Sequence, residues 1–277
     1  MGRIKLGISL KSLGLPFRRS LPEAQKLGVA AIELEAAGEL LPQNLTQTGR
    51  REILHLLRSH DLTVSALFCP LRHGLDVAAD LEPRLQQIRL TMALAFDLGP
   101  RLVIIQPGPI NSPLAPGVPC PRGPSEGAPS VGGPAWACHP SLKESLDALG
   151  RHGDRTGVTI ALDTALDSPE TLVNFLGCFD VGSLAVNFNP ANLVIGCHNP
   201  YDAIRTFYKR IATVHAQDAR RISPNRMATV PLGHGDLDWM QLLANFEEID
   251  YRGPLTVLAD NRVELAPGVA FLRRFVT

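Results

Sequence analysis

Polar side chains stand at or next to the ends of short apolar runs in the second half of the chain. The runs ALD, NFN, VHA and LAD contain Asp163, Asn189, His215 and Asp260. Carboxylate and amide oxygens, together with an imidazole, are donors that suit Mn²⁺, Mg²⁺, Co²⁺ or Zn²⁺. A carboxylate can also take a carbon-bound proton when it lies within about 3 Å of it. The four residues therefore predict a metal site or an acid–base site, provided that the fold brings them together.

These residues belong to a regular alternation of apolar, β-rich runs and amphipathic stretches. The predicted strands cover residues 4–10, 31–36, 62–68, 102–106, 158–163, 184–189, 211–216 and 255–260. The predicted helices cover residues 22–28, 51–60, 81–98, 141–151, 169–176, 201–209, 238–247 and 268–275. Eight uniform units predict one α/β domain over residues 1–277, a closed (β/α)₈ TIM barrel. In such barrels the active site lies at the C-terminal ends of the strands.

Composition and charge narrow the classes of partner. Of the 277 residues, 45% are hydrophobic and 19% charged, which is typical of a globular protein. Lys plus Arg and Asp plus Glu both number 27, and this zero net charge argues against nucleic-acid and membrane partners. The uncharged stretch 102–121 is interrupted by prolines, so no transmembrane helix is expected. Five cysteines without a CxxC pair predict no disulfide framework, and a cytoplasmic location is the expectation.

One long segment departs from the regular alternation. Residues 107–137 follow predicted strand four and are rich in Pro and Gly. A loop of this length is usually either functional or disordered. It is expected to hang over the mouth of the barrel, as a lid or as a disordered insertion.

Each candidate residue also has a structural interpretation. His215 could be a core histidine with a satisfied partner. Asp163 could cap a helix, although Ser168 is the better cap for the helix that begins at residue 169. A Schiff-base aldolase would need a lysine at a strand end, where Lys11 is the one candidate. Neither GxGxxG nor Walker A occurs, and no signature supports a thiol enzyme, so buried structural cysteines are expected at Cys69 and Cys197.

The second half of the chain resembles a known family. The segments VTIALDTALDSPETL, AVNFNPANLVIGCHNP, IATVHAQDAR, VPLGHGDLDW and YRGPLTVLADN are similar to the xylose-isomerase-like TIM barrels of the sugar-phosphate isomerase/epimerase superfamily. The resemblance implies an isomerase or epimerase that moves a proton on a small carbohydrate through an enediolate, with help from a divalent metal. Apurinic endonucleases of the same superfamily need a trinuclear zinc site, for which the strand ends here offer too few ligands.

Compared residue by residue, this sequence departs from the pattern that the resemblance implies. Asp163 stands where Glu is usual, and Asn189 stands where Asp is usual. His215 is retained. Leu258 replaces the second metal-binding Glu, and Gln217 replaces a Lys. The implied ligands are therefore Asp163, Asn189 and His215, and the loss of ligand charge predicts a divalent metal that is weakly bound or absent.

Further roles are predicted from the positions of residues at and after the strand ends. Asp260, two residues after Leu258 on the same side of the strand, is expected to form the catalytic pair with Asp163. Glu35 and His73 are alternatives for the second proton-transfer group. Substrate-binding residues are expected at His73, Asn192, Asp218 and Arg220, with Arg220, Arg221 and Arg226 placed to meet a phosphate.

Two functions remain open on the sequence. The first is a sugar or sugar-phosphate isomerase or epimerase with a degraded metal site. The second is a catalytically inactive barrel that binds a carbohydrate or a partner, favoured because the substitutions concentrate on the functional face. Assembly as a homo-oligomer also stays open.

Overall fold

The computed structural model describes residues 4–110, 139–164, 167–223 and 226–276. Eight parallel strands close into a barrel in the order β1-β10-β7-β6-β5-β4-β3-β2, which confirms the predicted TIM barrel. Its strands are β1 (Lys5–Ser9), β2 (Ala31–Glu35), β3 (Thr63–Phe68), β4 (Leu102–Ile105), β5 (Thr159–Asp163), β6 (Leu184–Phe188), β7 (Ile211–Ala216) and β10 (Pro254–Val257). An antiparallel hairpin of β8 (Asp218–Ser223) and β9 (Arg226–Val230) follows β7.

Helices flank the strands in the described part of the chain. They are α1 (Phe17–Lys26), α2 (Gln47–Ser59), α3 (Leu81–Leu98), α4 (Pro140–Thr156), α5 (Pro169–Leu176), α6 (Pro190–Ile195), α7 (Pro200–Thr206), α8 (Trp239–Glu248) and α9 (Arg262–Arg273). Ser168 caps α5 as predicted, because its side chain accepts the backbone N–H of Thr171. Within the described residues, no helix is long and apolar enough to cross a membrane.

The main core lies between strands and helices, and a smaller one lies inside the barrel. Alternate strand residues point to opposite faces, so Ala161 shares the inner face of β5 with Asp163. Ala161 packs with Ala66, Leu102 and Ile104 in a separate buried cluster. These small and apolar side chains fill the barrel interior on the N-terminal side of Asp163.

Two predicted helix starts are wrong. Helix α1 begins at Phe17 rather than at residue 22, because Phe17 and Leu21 share a buried stripe, and Pro22 lies inside the helix. Helix α9 begins at Arg262 rather than at residue 268. There the side chain of Asn261 caps the helix by accepting two backbone N–H groups, and Pro267 lies in its interior.

The segments after β6 and β7 also differ from the prediction. A single helix over 201–209 is replaced by two short ones, α6 and α7, each with Pro at its first position. The hairpin β8–β9 had not been predicted. Cys197 is exposed and disulfide-bonded rather than buried and reduced, whereas Cys69 is a buried free thiol. Most of the predicted loop 107–137 lies outside the described residues.

Candidate active site

A cavity of about 400 Å³ opens at the C-terminal ends of the barrel strands. Its floor includes Glu33, Asp163 and His215, from β2, β5 and β7. The barrel brings them together because each side chain points inward from the last residues of its strand. Asp163 and His215 therefore line one cavity.

A continuous chain of hydrogen bonds links these groups through Asn187. The Nε2 atom of His215 lies 2.6 Å from Oε2 of Glu33, and its Nδ1 atom lies 2.9 Å from Nδ2 of Asn187. The same Nδ2 donates to Oδ1 of Asp163 over 2.8 Å. All four residues are buried, and Asn187 is completely inaccessible. The side chain of Asn187 thus bridges the imidazole and the carboxylate.

Burial and neighbouring charges shift the pKa values of Asp163 and His215. Burial raises the pKa of Asp163, and the charge of His215 and the amide hydrogen bonds offset only part of that rise. Burial by itself would lower the pKa of His215. The charge and hydrogen bond of Glu33, with the charge of Asp163, outweigh that effect and raise the pKa of His215 above its usual value. Both groups therefore hold a proton to higher pH than they would in water.

The second carboxylate oxygen of Asp163 faces two more amides. Gln106 donates to Oδ2 over 3.4 Å and Asn192 donates to it over 3.3 Å. These three side chains also line an adjoining cavity of about 360 Å³. Asp163 consequently lines two neighbouring cavities, and the amide groups of Gln106 and Asn192 line both as well.

Asn189 lines the main cavity but is committed to local structure. Its Oδ1 accepts the backbone N–H of Asn192 as the cap of α6, and its Nδ2 donates to Gln217 over 3.2 Å. Its backbone N–H donates to the hydroxyl of Thr164. The side chain that reaches both Asp163 and His215 is instead Asn187, two residues earlier.

The rim of the cavity carries the remaining charged groups. Asp260 is exposed and lines the cavity together with Leu258, on the side of β10. Lys11 lines it as well, and its Nζ pairs with Oε1 of Glu35 over 2.8 Å. Asp260 and Asp163 therefore face one cavity, one on the rim and the other on the floor.

Three of the predicted substrate-binding residues lie elsewhere. Within the described part of the chain, neither cavity is lined by His73, Asp218 or Arg220. His73 is exposed in the loop after β3. Asp218 is buried and accepts backbone N–H groups of Gly233 and Gly235, while Arg220 lies on the exposed hairpin, 3.9 Å from Asp236.

Comparison with known proteins agrees with the barrel fold. The model of the family described as xylose isomerase-like TIM barrel matches residues 21–275. The chain belongs to this family. A search of curated proteins finds no match to the sequence.

Solved structures share the fold of this xylose isomerase-like barrel. A xylose isomerase domain protein from Planctomyces limnophilus has a TM-score of 0.78 and 22% identity, over 98% of this chain and 95% of that one. A D-tagatose 3-epimerase-like protein has a TM-score of 0.75 and 16% identity, over 98% and 96%. A barrel protein from Mycobacterium smegmatis, solved in complex with magnesium, has a TM-score of 0.73 and 18% identity, over 100% and 97%.

The donor set of this xylose isomerase-like barrel does not fit a divalent ion. Among the described residues, no three His, Cys, Asp or Glu side chains are placed to hold a metal together. Both ring nitrogens of His215 already have partners, and both oxygens of Asp163 face amide groups. Leu258 adds an apolar side chain to the cavity lining. The metal expected at Asp163, Asn189 and His215 is therefore not supported by their geometry.

Sequence reasoning assigned no role to Glu33 or Asn187. Glu33 lies in β2, where this acidic residue stands between the apolar Ile32 and Leu34. His215 shows the same contrast, because it lies between the apolar Val214 and Ala216. Asn187 carries a weaker signal, because a polar residue inside a strand is common at a barrel's inner face.

Proposed function

We propose that this chain transfers a proton on a small carbohydrate, as a sugar isomerase or epimerase would. The observation that carries the proposal is the Asp163 carboxylate, which lines two neighbouring cavities, accepts hydrogen bonds from three amides and is linked through Asn187 to His215. Solved structures with this fold include a D-tagatose 3-epimerase-like protein and a 3-keto-D-glucoside 4-epimerase from E. coli. A sugar-sized ligand is compatible with a cavity of about 400 Å³.

Asp163 is the proposed base. It takes a proton from the hydroxyl-bearing carbon next to a carbonyl group, which leaves an enediolate. A proton that returns to the same carbon on the opposite face gives the epimer. A proton that returns to the former carbonyl carbon, while the hydroxyl proton moves between the two oxygens, gives the isomer. Its raised pKa makes it a stronger base than an ordinary carboxylate once it is ionised. The amides of Gln106 and Asn192 lie beside it and are placed to hydrogen-bond substrate oxygens. Asp260, on the rim, is the proposed second carboxylate.

No step of this proposal passes through a metal ion, because the donor set does not fit one. His215 and Glu33 instead hold the position of Asn187, which in turn holds the carboxylate of Asp163. A cytoplasmic location and assembly as a homo-oligomer remain predictions from the sequence.

Deuterium exchange tests the proposal without knowledge of the product. The protein is incubated in D₂O with a panel of ketohexoses and aldopentoses, and ¹H NMR follows the proton on the carbon next to the carbonyl. We expect deuterium to enter at that carbon for at least one sugar, and Asp163→Asn to slow the exchange by about 100-fold or more. The exposed Asp180→Asn is the matched control and should leave the rate unchanged.

The alternative function is binding without catalysis. Leu258, an unreactive side chain in the cavity lining, favours it because, among the described residues on the β10 side of the cavity, the carboxylate is that of exposed Asp260. The same NMR samples distinguish the two functions. Saturation transfer from the protein to a sugar, with no deuterium entering the sugar, would support a carbohydrate-binding barrel and contradict the isomerase proposal.

A further inference from the structure

We propose that the side-chain amide of Asn187 takes the place of a divalent cation in this barrel, so that the site is organised without a metal. The metal-binding part of this inference concerns the protein alone. Only its consequence, proton transfer that needs no metal, rests on the proposed function.

Glu33 sets the orientation of the His215 ring. Histidines that bind metals commonly direct one ring nitrogen to the ion and the other to a carboxylate, which fixes the ring. Glu33 occupies the carboxylate position here, 2.6 Å from Nε2 of His215. The nitrogen left for an ion is therefore Nδ1. The atom facing Nδ1 is Nδ2 of Asn187, at 2.9 Å.

The amide of Asn187 bridges His215 and Asp163. A metal at this place would join Nδ1 of His215 to a carboxylate oxygen of Asp163. Nδ2 of Asn187 makes both contacts itself, the second over 2.8 Å to Oδ1 of Asp163. An amide nitrogen carries two N–H groups, which is enough to donate one to each partner.

The two ends of the Asn187 amide have different surroundings. Oδ1 of Asn187 is buried and has no hydrogen-bond partner among the described residues. With Asp163 ionised and Nδ1 of His215 unprotonated, turning the amide over would place that oxygen against the carboxylate of Asp163 and would lose both contacts. The NH₂ end is therefore fixed between the two acceptors, and its partial positive charge faces the groups that an ion would face.

The charge of the available side chains also bears on metal binding at this place. Hard cations are held largely by the charge of their ligands. Asn187 and Asn189 are neutral, and Leu258 has no donor atom. Replacing Asn187 by Asp removes the NH₂ group and supplies a further anionic ligand between Asp163 and His215. The substitution is nearly isosteric, so it changes the chemistry of the position more than its packing.

Titration with Mn²⁺ tests the inference, with free Mn²⁺ measured by electron paramagnetic resonance. Metal-stripped wild-type protein, Asn187→Asp and Asn187→Ala are compared, and circular dichroism checks that each is folded. The exposed Asn174→Asp is the matched control for added charge. We expect Asn187→Asp to bind Mn²⁺ about 100-fold more tightly than the wild type, and the control to match the wild type. If the Asp variant does not fold, Asn187→Ala, which opens the position without a new ligand, should still bind more tightly than the wild type.

Saturable binding of Mn²⁺ by the wild type at micromolar concentration, lost in His215→Gln, would overturn the inference. Equal affinities of all folded variants would overturn it as well. Because no sugar is present, these results stand whether or not deuterium exchange is found. Where exchange is found, it should persist in the wild type with EDTA, and loss of exchange that Mn²⁺ restores would contradict a metal-free site.

Discussion

Glu33 on β2 and His215 on β7 are 182 positions apart in the chain, yet Oε2 and Nε2 of these side chains lie 2.6 Å apart. The side chains of His215 and Glu33 are only 4% and 3% exposed to solvent. Removing two such groups from water is costly, and their mutual contact compensates for it only when other hydrogen bonds complete the site. At the second nitrogen of the imidazole, the neighbouring polar atom is Nδ2 of Asn187, 2.9 Å away.

Glu33→Gln should destabilise the protein, because it leaves the buried imidazole without its charged partner. The expected loss in the free energy of unfolding is about 3 kcal/mol, equivalent to a fall in Tm of about 6–12 °C for a chain of this size. Thermal unfolding followed by circular dichroism measures it. Glu82→Gln is the matched control, since the Glu82 side chain is 72% exposed in its pair with Arg89. An unchanged Tm in Glu33→Gln would show that the buried pair contributes nothing.

The contribution of His215 to stability should depend on pH. Its pKa in the folded protein is raised above the ordinary value of 6.5, so the folded state holds the proton more tightly than the unfolded chain does. The stabilisation is then fully present below about pH 6.5 and is lost as the pH rises through the folded pKa. Urea unfolding of the wild type and His215→Gln from about pH 5.5 to about pH 8.5 measures it. The difference between the two proteins should shrink with rising pH, and a difference that grows would contradict the raised pKa.

The barrel could be predicted from the sequence because its signals are repeated eight times. Each β–α unit combines an apolar run with an amphipathic stretch, and errors at single helix starts, such as Phe17, do not change the count. The extra hairpin β8–β9 carries no comparable signal. Its residues are mostly exposed or half-buried, so no apolar run marks it.

The site could be predicted only in part, because a side chain's direction depends on where its strand ends. Asn187 and Asn189 are two residues apart and would share a face if β6 continued. The strand ends at Phe188, and Pro190 starts a helix that Asn189 caps. Because of that turn, the side chain of Asn189 caps the helix and does not continue the inner face of β6. Asn187 is therefore the residue that contacts His215. The partner Glu33 could not be chosen from the sequence because the pairing spans the whole barrel.

Cys69 should be chemically inert although it follows a barrel strand. Burial raises the pKa of its thiol to about 11, and the hydrogen bond from Thr91 offsets only part of that rise. Thiolate is the reactive form, so alkylation near neutral pH should be very slow. Cys178 is an exposed free thiol and should be labelled by iodoacetamide well before Cys69, as read by peptide mass spectrometry. Labelling of Cys69 at the same rate in the folded protein would contradict its burial.

Asp218 should stabilise the segment after the hairpin rather than bind substrate. Its Oδ2 accepts the backbone N–H groups of Gly233 and Gly235 over 3.0 and 3.2 Å, and the indole N–H of Trp239 over 3.3 Å. A cradle of amides such as this one could have held a substrate anion, but the chain's own carboxylate fills it. A methyl group on Gly235 would lie 1.9 Å from Oδ1 of Asp218, so the backbone there closes directly onto the carboxylate.

Asp218→Asn keeps the shape of the side chain but removes its charge and turns one acceptor into a donor. The expected loss in the free energy of unfolding is about 2 kcal/mol, typical of hydrogen bonds to a charged group. Hydrogen exchange read by mass spectrometry should show faster exchange in residues 231–239, with sugar binding unchanged because Asp218 does not line either cavity. Asp180→Asn serves as the control for a change of charge at an exposed position. Weaker sugar binding without faster exchange in that segment would instead support the substrate-binding role expected from the sequence.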